Sequence, residues 1–492
     1  MKPYEQLPRE LTRILGERWS DTAANRLLYS RDMSAEITLK LRDQSGDPNF
    51  APMRPHVVCW PEDAHEVVKL VKLANRLKIP IVPFGGGSGV VGGTIPVRGG
   101  MIIDLKRMDK ILKLNNEQGT ADIETGMLGW KLEAELNRTG YTLHFPTPAR
   151  SATLGGYLAA RSADVEDRLE EAEVVTPRGE LIRFGRHAKL FPKIRTKDLF
   201  VGTEGTCGII TKARLKIQPL PPAECYRGIS FNRLESGLMA MRLIIQANLR
   251  PTVLHLHDPL SLLFEHSRET STSEQKTLMT QLKQGGQNWL LQHPRMTTLL
   301  NLLPLEVILI VGFAGEKTFI SEQEKIALSL CQKVIARDLG PGPGEQWKQQ
   351  RHHPSFMIPQ LFDEGGFMDT IEVATTWDLL EGLYQKITRA LQHKVCLMAH
   401  FSHATPDSCA ISFTFAGKTG SYEQDLALYQ EVWQEAMETC LLAGGTISHQ
   451  HGIGLLKAPY LERELENCMK VFKAVKKKLD PAGIMNPGKM SL

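Results

Sequence analysis

The sequence predicts an α+β fold with two main parts, and three observations support that prediction. Predicted strands and helices follow one another irregularly, which is typical of α+β proteins and not of a regular βαβ array. A loop with six glycines among the twelve residues 82–93 separates two of these strands. The segment Pro219–Pro222 has the composition of a linker, and longer helices are predicted after it.

The predicted elements before the linker are short. Residues 1–50 read as a helical and then irregular segment. The apolar runs Val57–Pro61 and Ile79–Pro83 predict strands, and the helical spacing of apolar residues over Glu62–Leu77 predicts a helix between them. The other predicted elements of this part are a helix at 128–139 and strands at 101–105, 121–125, 173–176 and 208–217.

After the linker, the sequence predicts helices over 234–248 and 321–338 and a strand over 370–374. A further helix is predicted over 461–479, and Asp480-Pro481-Ala482-Gly483 ends it. These elements indicate four parts: an N-terminal helical segment 1–50, a first domain 51–222, a second domain 223–430, and a C-terminal segment 431–492 that returns to the first domain.

Composition excludes several classes of protein. A net charge of +4 is too small and too dispersed to indicate nucleic-acid binding. The eight cysteines form no CxxC pair, which favours reduced thiols in a cytoplasmic protein. No secretory signal and no transmembrane segment are predicted, because Asn301, Pro304 and Glu306 interrupt the apolar segment 299–313. A homodimer is left open.

The glycine loop contains Gly87-x-Gly89-x-x-Gly92, the pattern of dinucleotide-binding βαβ units. In those units the loop opens a helix whose N-terminus holds the pyrophosphate. Here Pro96 and the pair Gly99-Gly100 follow, so no helix is predicted, and the GK[ST] of a Walker loop is missing. The loop is therefore interpreted as a nest of backbone N–H groups for a pyrophosphate, with a flexible surface loop as the alternative.

Four motifs together resemble the vanillyl-alcohol-oxidase, or p-cresol methylhydroxylase (PCMH), superfamily of flavoproteins. They are the loop PFGGGSGVVGG at 83–93, the TLGGYLA at 153–159, the VGTEGTCGIIT at 201–211 and the LDPAGIMNPGK at 479–489. The resemblance implies a PCMH-type FAD-binding domain of two α+β subdomains and an α+β cap domain that binds substrate. It also implies noncovalent FAD, because Ser88 stands where some members carry the histidine that attaches the cofactor.

The resemblance assigns FAD contacts to residues of the first three motifs. These cofactor-binding candidates are Phe84, Gly85, Gly86, Gly87, Ser88, Gly89, Thr153, Gly155, Gly156, Glu204, Gly205, Gly208 and Ile210.

The segment SHQHGIG at 448–454 carries the second informative pattern. An extended segment would point His449 and His451 to the same face, where two imidazoles could bind a metal, move protons or serve only as hydrogen-bonded structural residues. The segment resembles the SHHHGVG of alkylglycerone-phosphate synthases, enzymes of ether-lipid synthesis. It resembles less closely the EHGIG of glycolate and D-lactate dehydrogenases.

The synthase resemblance implies chemistry at flavin N5 on a phosphorylated or anionic small substrate. It implies proton transfer by His449, His451 and His403, and binding of the anionic group by Lys457 and Arg351. The hydroxyacid-dehydrogenase alternative would use His400 and His403 in a metal site with His449 and His451. No metal is predicted, because the GDGN expected between the first two histidines is missing.

Several positions depart from the synthase pattern. Gln450 replaces the middle histidine, Thr405 stands where a catalytic tyrosine is expected, and His255 stands where an arginine is expected. The segment around Asp164, and that before Leu199, are shorter than in relatives. Since both segments are expected beside the cofactor, a non-catalytic homologue that acts as a binding protein is the alternative of another class.

Overall fold

The computed structural model describes residues 3–43, 53–144, 151–185, 196–261, 294, 306–350, 361 and 365–492. The chain divides into two compact units. The first unit combines Met1–Leu220 with Gln450–Leu492, and the second unit is Pro221–His449. The second break follows residue 449 and not residue 430, because residue 430 lies inside one continuous helix, Tyr422–Leu442.

The first unit contains nine helices and eleven strands within the described ranges. The helices are α1 (Leu7–Leu15), α2 (Ala23–Leu28), α3 (Ala35–Asp43), α4 (Ala64–Leu77), α5 (Gly129–Arg138), α6 (Leu154–Ala159), α7 (Ala163–Glu166) and, after the second unit, the two C-terminal helices named below. The strands are β1 (Trp19–Ser20), β2 (Val57–Cys59), β3 (Ile81–Phe84), β4 (Met101–Asp104), β5 (Ile111–Asn115), β6 (Thr120–Glu124), β7 (Tyr141–Thr142), β8 (Leu169–Val175), β9 (Leu181–Phe184), β10 (Ile209–Lys216) and β11 (Gln218–Pro219).

One sheet of the first unit has four strands in the order β1-β2-β4-β3, with β2, β4 and β3 parallel. Helix α4 joins β2 to β3. It begins where the Asp63 carboxylate accepts the backbone N–H of Glu66 at 2.8 Å, and it ends at Lys78 in the left-handed conformation. Its apolar stripe, which includes Val67, Leu70 and Val71, is fully buried.

The C-terminal segment completes this sheet beside β3. The backbone N–H of Ile81 donates to the carbonyl oxygen of Ile484 at 2.7 Å, and the N–H of Asn486 donates to the carbonyl of Ile81 at 2.7 Å. Ile484 and Met485 are buried in the same core as β3 and α4. The edge of β3 is therefore paired by residues from the far end of the sequence.

A second sheet of the first unit is antiparallel, with the order β5-β6-β10-β8-β9. Strand β10 is central, and its inward residues Ala213 and Leu215 are fully buried. They pack with residues of α5 and α6, including Leu132, Leu136 and Leu158. Val175 of β8 and Ile209 of β10 lie instead in the core of the four-stranded sheet, so the two cores meet at this sheet.

Within its described residues, the second unit is built on one antiparallel sheet of seven strands, in the order β15-β12-β14-β13-β17-β18-β16. The strands are β12 (Ala223–Phe231), β13 (Val253–His257), β14 (Val307–Gly315), β15 (Arg337–Asp338), β16 (Phe367–Thr376), β17 (Cys396–Ser402) and β18 (Ser408–Gly417). The helices with described bounds are α8 (Leu234–Gln246), α9 (Lys317–Gln332), α10 (Gly342–Gln350), α11 (Trp377–Leu391) and α12 (Tyr422–Leu442).

One face of the seven-stranded sheet is apolar and is covered by helices. Ile371 of β16, Phe413 of β18 and Phe401 of β17 are fully buried on this face. The ring of Tyr384 on α11 lies 6.0 Å from that of Phe413 and 5.5 Å from that of Phe401. Since side chains alternate along a strand, the intervening residues point to the opposite face.

Two expectations about the C-terminal half are wrong. The segment 461–479 is not one helix but two, α13 (Ala458–Leu465) and α14 (Asn467–Leu479), because Glu466 takes φ +46° between them. This break lets Leu461 and Met469 reach one common core. The predicted helix 321–338 lies at Lys317–Gln332, and residues 337–338 form strand β15 instead.

Within the described residues, no helix combines the length and the apolar composition that crossing a membrane requires. Residues 299–305 of the apolar segment considered above lie outside the described residues, and its remainder contributes to β14.

Candidate functional site

The glycine loop joins the parallel neighbours β3 and β4 without a helix, as the sequence predicted. Gly87 takes φ +65°, a left-handed conformation that strains other residues. Among the described residues, none accepts a hydrogen bond from the backbone N–H groups of Gly86, Gly87, Ser88 or Gly89. Four successive donors are thus available for an anionic ligand.

Close packing explains the first two glycines of the loop. A Cβ atom on Gly85 would lie 2.2 Å from Thr153 Oγ1, and one on Gly86 would lie 1.8 Å from the backbone oxygen of Ser151. Thr153 also caps helix α6, because its hydroxyl accepts the N–H of Gly156 at 3.2 Å. Gly155 allows that helix to approach Thr125, which a Cβ would meet at 3.2 Å. The glycine loop and the 153–159 motif therefore pack closely together, because glycine has no side chain to keep them apart.

Phe84 has a structural environment. Its side chain is buried and lies against the ring of Tyr29, with the centroids 4.8 Å apart. Tyr29 in turn donates to the Asp104 carboxylate at 2.5 Å, and Lys106 donates to the carbonyl of Gly85 at 2.9 Å. Phe84 thus anchors the start of the loop, and its assignment to FAD stays a prediction.

The segment 201–211 meets both the glycine loop and the C-terminal segment. Gly205, at φ +71°, packs against Pro83, which a Cβ would meet at 2.8 Å. Gly208 approaches Val174 in the same way, and Ile210 of β10 accepts the Thr125 hydroxyl on its carbonyl oxygen at 2.5 Å. These residues place a tight turn directly beside the glycine loop.

Glu204 connects this turn to the Gly452-Ile453-Gly454 stretch. Its carboxylate accepts the backbone N–H of Ile453, and its Oε2 accepts that of Gly454 at 2.8 Å. Burial raises the pKa of this carboxyl group, and the two N–H donors oppose that effect. Sequence reasoning assigned Glu204 to the cofactor, whereas its carboxylate holds the glycine-rich segment after His451.

Replacing Glu204 by glutamine is expected to destabilise the protein by about 1–3 kcal/mol. The NH2 of the new amide group cannot accept a hydrogen bond, so one of the two backbone N–H groups that the carboxylate now binds would lose its acceptor. Urea denaturation followed by circular dichroism measures this change. The exposed Glu180, changed to glutamine, is the matched control and should leave the midpoint unchanged. Equal midpoints for both variants would contradict this role of Glu204.

Further buried charges surround residues 89–97 of the first unit. Asp32 accepts the N–H of Gly92 at 2.9 Å, and burial raises the pKa of its carboxyl group. The fully buried Lys489 donates to the carbonyl of Ile95 at 2.6 Å. Burial lowers the pKa of Lys489 to about 8, although Glu204 and Asp32 act in the opposite direction. Neither residue was assigned a role from the sequence, although Lys489 ends the motif LDPAGIMNPGK.

Lys457 is fully buried in the same region, and its charge lowers the pKa of Glu204. Its positive charge therefore partly compensates the buried carboxylate of Glu204. The assignment of Lys457 to the anionic group of a substrate stays a prediction.

The buried Lys489 predicts the direction in which the stability of the protein changes with pH. Its pKa is lower in the folded protein than the usual 10.5, so the unfolded chain holds more protons between pH 8 and pH 10.5. Relative to Lys489→Met, the unchanged protein should gain stability as the pH rises through that window. The gain is on the order of 3 kcal/mol, since one pKa unit corresponds to about 1.4 kcal/mol.

Urea denaturation at a series of pH values measures the difference between the two proteins. The exposed Lys470, changed to methionine, is the control, and its difference curve should be flat. A flat curve for Lys489→Met as well would overturn the assignment of a buried amine.

The histidine segment is not extended. Residues 449–451 form bends, so the extended backbone on which the predicted common face of His449 and His451 depended does not occur there. The chain passes from the second unit to the first between His449 and Gln450. His449 belongs to the second unit, and the half-buried His451 belongs to the first.

His449 has a carboxylate partner that sequence reasoning missed. Its Nδ1 lies 2.5 Å from Glu372 Oε1, and the Glu372 side chain is only 2% exposed. The ring of His403 lies 5.9 Å from that of His449, edge to face, and His403 Nδ1 lies 3.0 Å from the Ser402 hydroxyl. Two of the three predicted catalytic histidines are thus neighbours in the second unit.

Glu372 belongs to a polar row across the second face of the sheet. It pairs with Ser412 of β18, Ser412 pairs with His400 of β17, and His400 pairs with His257 of β13. The ring of His255, two residues earlier on β13, lies 6.0 Å from that of His400. Glu372 and these three histidines thus share the face opposite the helix-covered apolar face.

Three further expectations from the sequence concern Arg351, a metal site and the two shortened segments. Arg351 lies outside the described residues. In the described part of the chain, no three His, Cys, Asp or Glu side chains form a group that could hold a metal ion. The shortened segment at residue 164 forms the four-residue helix α7, while residues 186–195 before Leu199 also lie outside the description.

The comparisons with known proteins agree with this architecture. The family model "FAD linked oxidases, C-terminal domain" matches residues 220–490, and the model "FAD binding domain" matches residues 55–185. The alkyldihydroxyacetonephosphate synthase of Dictyostelium discoideum is 28% identical over 511 residues, covering 99% of this chain and 81% of the relative. Glycolate oxidase subunit GlcD of Bacillus subtilis is 26% identical, covering 98% of this chain and 96% of the relative.

A solved alkyldihydroxyacetonephosphate synthase aligns with a TM-score of 0.78 and 24% identity, covering 98% of this chain and 84% of that chain. The structure of p-cresol methylhydroxylase aligns with a TM-score of 0.76 and 16% identity, covering 100% and 97%. The predicted α+β class and PCMH-type fold are therefore confirmed. The chain belongs to the family of FAD-linked oxidases, and its cofactor is FAD.

Proposed function

We propose that this chain is an enzyme that uses FAD to transform a small anionic substrate in the manner of the alkyldihydroxyacetonephosphate synthases. The observation that carries the proposal is the buried Glu372–His449 pair, which supplies an oriented imidazole. The similarity to a synthase over 99% of this chain supports the same reaction class. The cytoplasmic location and the oligomeric state stay predictions.

The first unit fits the pyrophosphate of FAD. The four N–H groups of Gly86–Gly89 donate to no described residue, and a nest of such donors would suit a diphosphate without a helix. Thr153–Gly156 and Gly202–Thr211 border the loop, so the remaining cofactor-binding candidates are brought together in one unit. Attachment without a covalent bond is part of the proposal.

The second unit supplies proton chemistry. Bound FAD would supply an isoalloxazine ring with an electrophilic N5. His449 would accept a proton from the substrate through Nε2, because Nδ1 is bonded to Glu372. His403 and His451 would assist, and the polar face of the sheet would receive the anionic group. Thr405 and Gln450 cannot titrate, so these histidines would carry the proton transfers without the tyrosine expected from the synthase pattern.

A 2-hydroxyacid dehydrogenase is the second candidate, and the similarity to GlcD along nearly the whole chain favours it. Both reactions need a base beside the flavin, so the geometry of His449 serves either one. They differ in the fate of electrons: a dehydrogenase reduces the flavin, whereas the synthase reaction leaves its redox state unchanged overall.

The purified protein separates these candidates in three steps. Its absorption spectrum should show bound flavin. Anaerobic addition of glycolate or D-lactate should leave the spectrum unchanged, while incubation with acyl-dihydroxyacetone phosphate and a labelled fatty alcohol should yield the alkyl product. Bleaching by a hydroxyacid would favour the dehydrogenase. A colourless protein that takes up no added FAD would overturn the proposal and favour a binding protein.

A further inference from the structure

We propose that Glu372 is a positioning residue that keeps the proton of neutral His449 on Nδ1, so that Nε2 faces the reacting substrate as the proton acceptor. This inference rests on the proposed function for its catalytic consequence. Its structural content, a tautomer fixed by a buried carboxylate, can be tested without substrate or flavin.

The backbone holds the two side chains together. Ala374 of β16 and Thr446 form an isolated antiparallel bridge, in which each N–H donates to the other carbonyl at 3.0 and 2.8 Å. The Thr375 hydroxyl also donates to the carbonyl of Gly444 at 3.2 Å. In this register, the residues that follow Thr446 run back along β16 toward Glu372. The approach of His449 to the carboxylate is therefore fixed by main-chain bonds.

The position of Glu372 on its strand is unusual. Its neighbours Ile371 and Val373 are fully buried on the apolar face of the sheet, so alternation places the carboxylate on the polar face. A buried carboxylate is costly unless charged or polar groups compensate it. The 2.5 Å contact with His449 Nδ1 provides such compensation, and charge-assisted bonds of this kind are short.

The chemistry of the pair determines the tautomer. An ionised carboxylate only accepts hydrogen bonds, so Nδ1 must carry the hydrogen in this contact. Neutral imidazole has one hydrogen, which leaves Nε2 as an acceptor. Within the described part of the chain, no residue forms a hydrogen bond with Nε2, and the imidazole is 25% exposed. His403 borders the same ring, with its own Nδ1 next to the Ser402 hydroxyl.

Nitrogen NMR of histidine-labelled protein reads the tautomer directly, with His449 assigned through His449→Gln. In the unchanged protein, His449 should carry hydrogen on Nδ1, and in Glu372→Gln it should become a mixture of tautomers. Turnover of Glu372→Gln should fall at least about 100-fold in kcat with KM little changed, because the imidazole is no longer oriented for proton transfer. Glu372→Asp, which keeps the charge, should restore the tautomer and part of kcat.

Asp369→Asn is the matched control. Asp369 is a buried carboxylate of the same strand, but it lies on the apolar face and accepts from Tyr429 at 2.7 Å. Its loss should lower stability and leave the tautomer of His449 unchanged. The inference would be overturned if His449 carried its hydrogen on Nε2 in the unchanged protein, a result that does not depend on whether Glu372→Gln folds. It would also be overturned if Glu372→Gln folded and left the tautomer of His449 unaltered. A fixed tautomer together with full turnover in His449→Gln would instead refute the proposed function alone.

Discussion

His449→Gln is expected to lower kcat by about 10²–10⁴-fold while the protein keeps its bound flavin. This range is typical for loss of a positioned general base. Glutamine retains an N–H that can donate to Glu372, so the buried carboxylate keeps a partner and the fold is preserved. Glutamine has no nitrogen that accepts a proton. His451→Ala is likewise expected to keep FAD and to lose turnover.

Steady-state kinetics and the flavin absorbance of the purified variants measure these effects. The exposed His393 of the second unit, changed to alanine, is the control and should retain full activity. Turnover within about twofold of the unchanged protein in His449→Gln would remove His449 from the mechanism, since a base contributes far more than that. Loss of flavin together with activity would show a structural role instead.

Gly86→Ala is expected to destabilise the first unit by about 1–3 kcal/mol or more and to release the flavin, because overpacking against backbone cannot be relieved by a side-chain rotation. The added Cβ would lie 1.8 Å from the backbone oxygen of Ser151. Either the loop or the turn at 151–153 must move, and the N–H donors of Gly86–Gly89 move with them. Thermal unfolding and the ratio of flavin to protein absorbance measure the two effects.

Gly93→Ala is the matched control in the same loop. A Cβ at Gly93 would approach only Glu204 Oε2, at 3.8 Å, which is an ordinary contact. Its melting temperature and flavin content should stay close to those of the unchanged protein. Equal behaviour of the two variants would mean that the glycines of this loop are not needed for its packing.

Local features of the fold were predictable because their causes are local. Pro96 and Gly99-Gly100 exclude a helix after the glycine loop, and the structure has none there. The apolar spacing of Val67, Leu70 and Val71 predicted α4, whose buried face contains these residues. The helix break at Glu466 was missed, because its left-handed backbone follows from the packing of two helices onto a shared core.

The polar partners of the site were not predictable to the same degree. Glu372 reaches His449 across 77 residues of sequence, and no periodicity connects positions so far apart. One signal was present, since a lone carboxylate in the apolar run Ile371-Glu372-Val373 indicates a buried charge that needs a partner. Asp32 and Lys489 gave no such signal. The extended geometry assumed for residues 449–451 failed because the chain changes units there.

The pairing of β3 with the C-terminal segment joins two parts of the first unit that lie far apart in the sequence. The Asn486 side chain binds the carbonyl oxygen of Gly93 at 3.0 Å, although these residues are 393 positions apart. The whole second unit is translated between them, and domains generally fold as they emerge. The first unit can therefore complete the sheet of β3 only after the second unit has been synthesised.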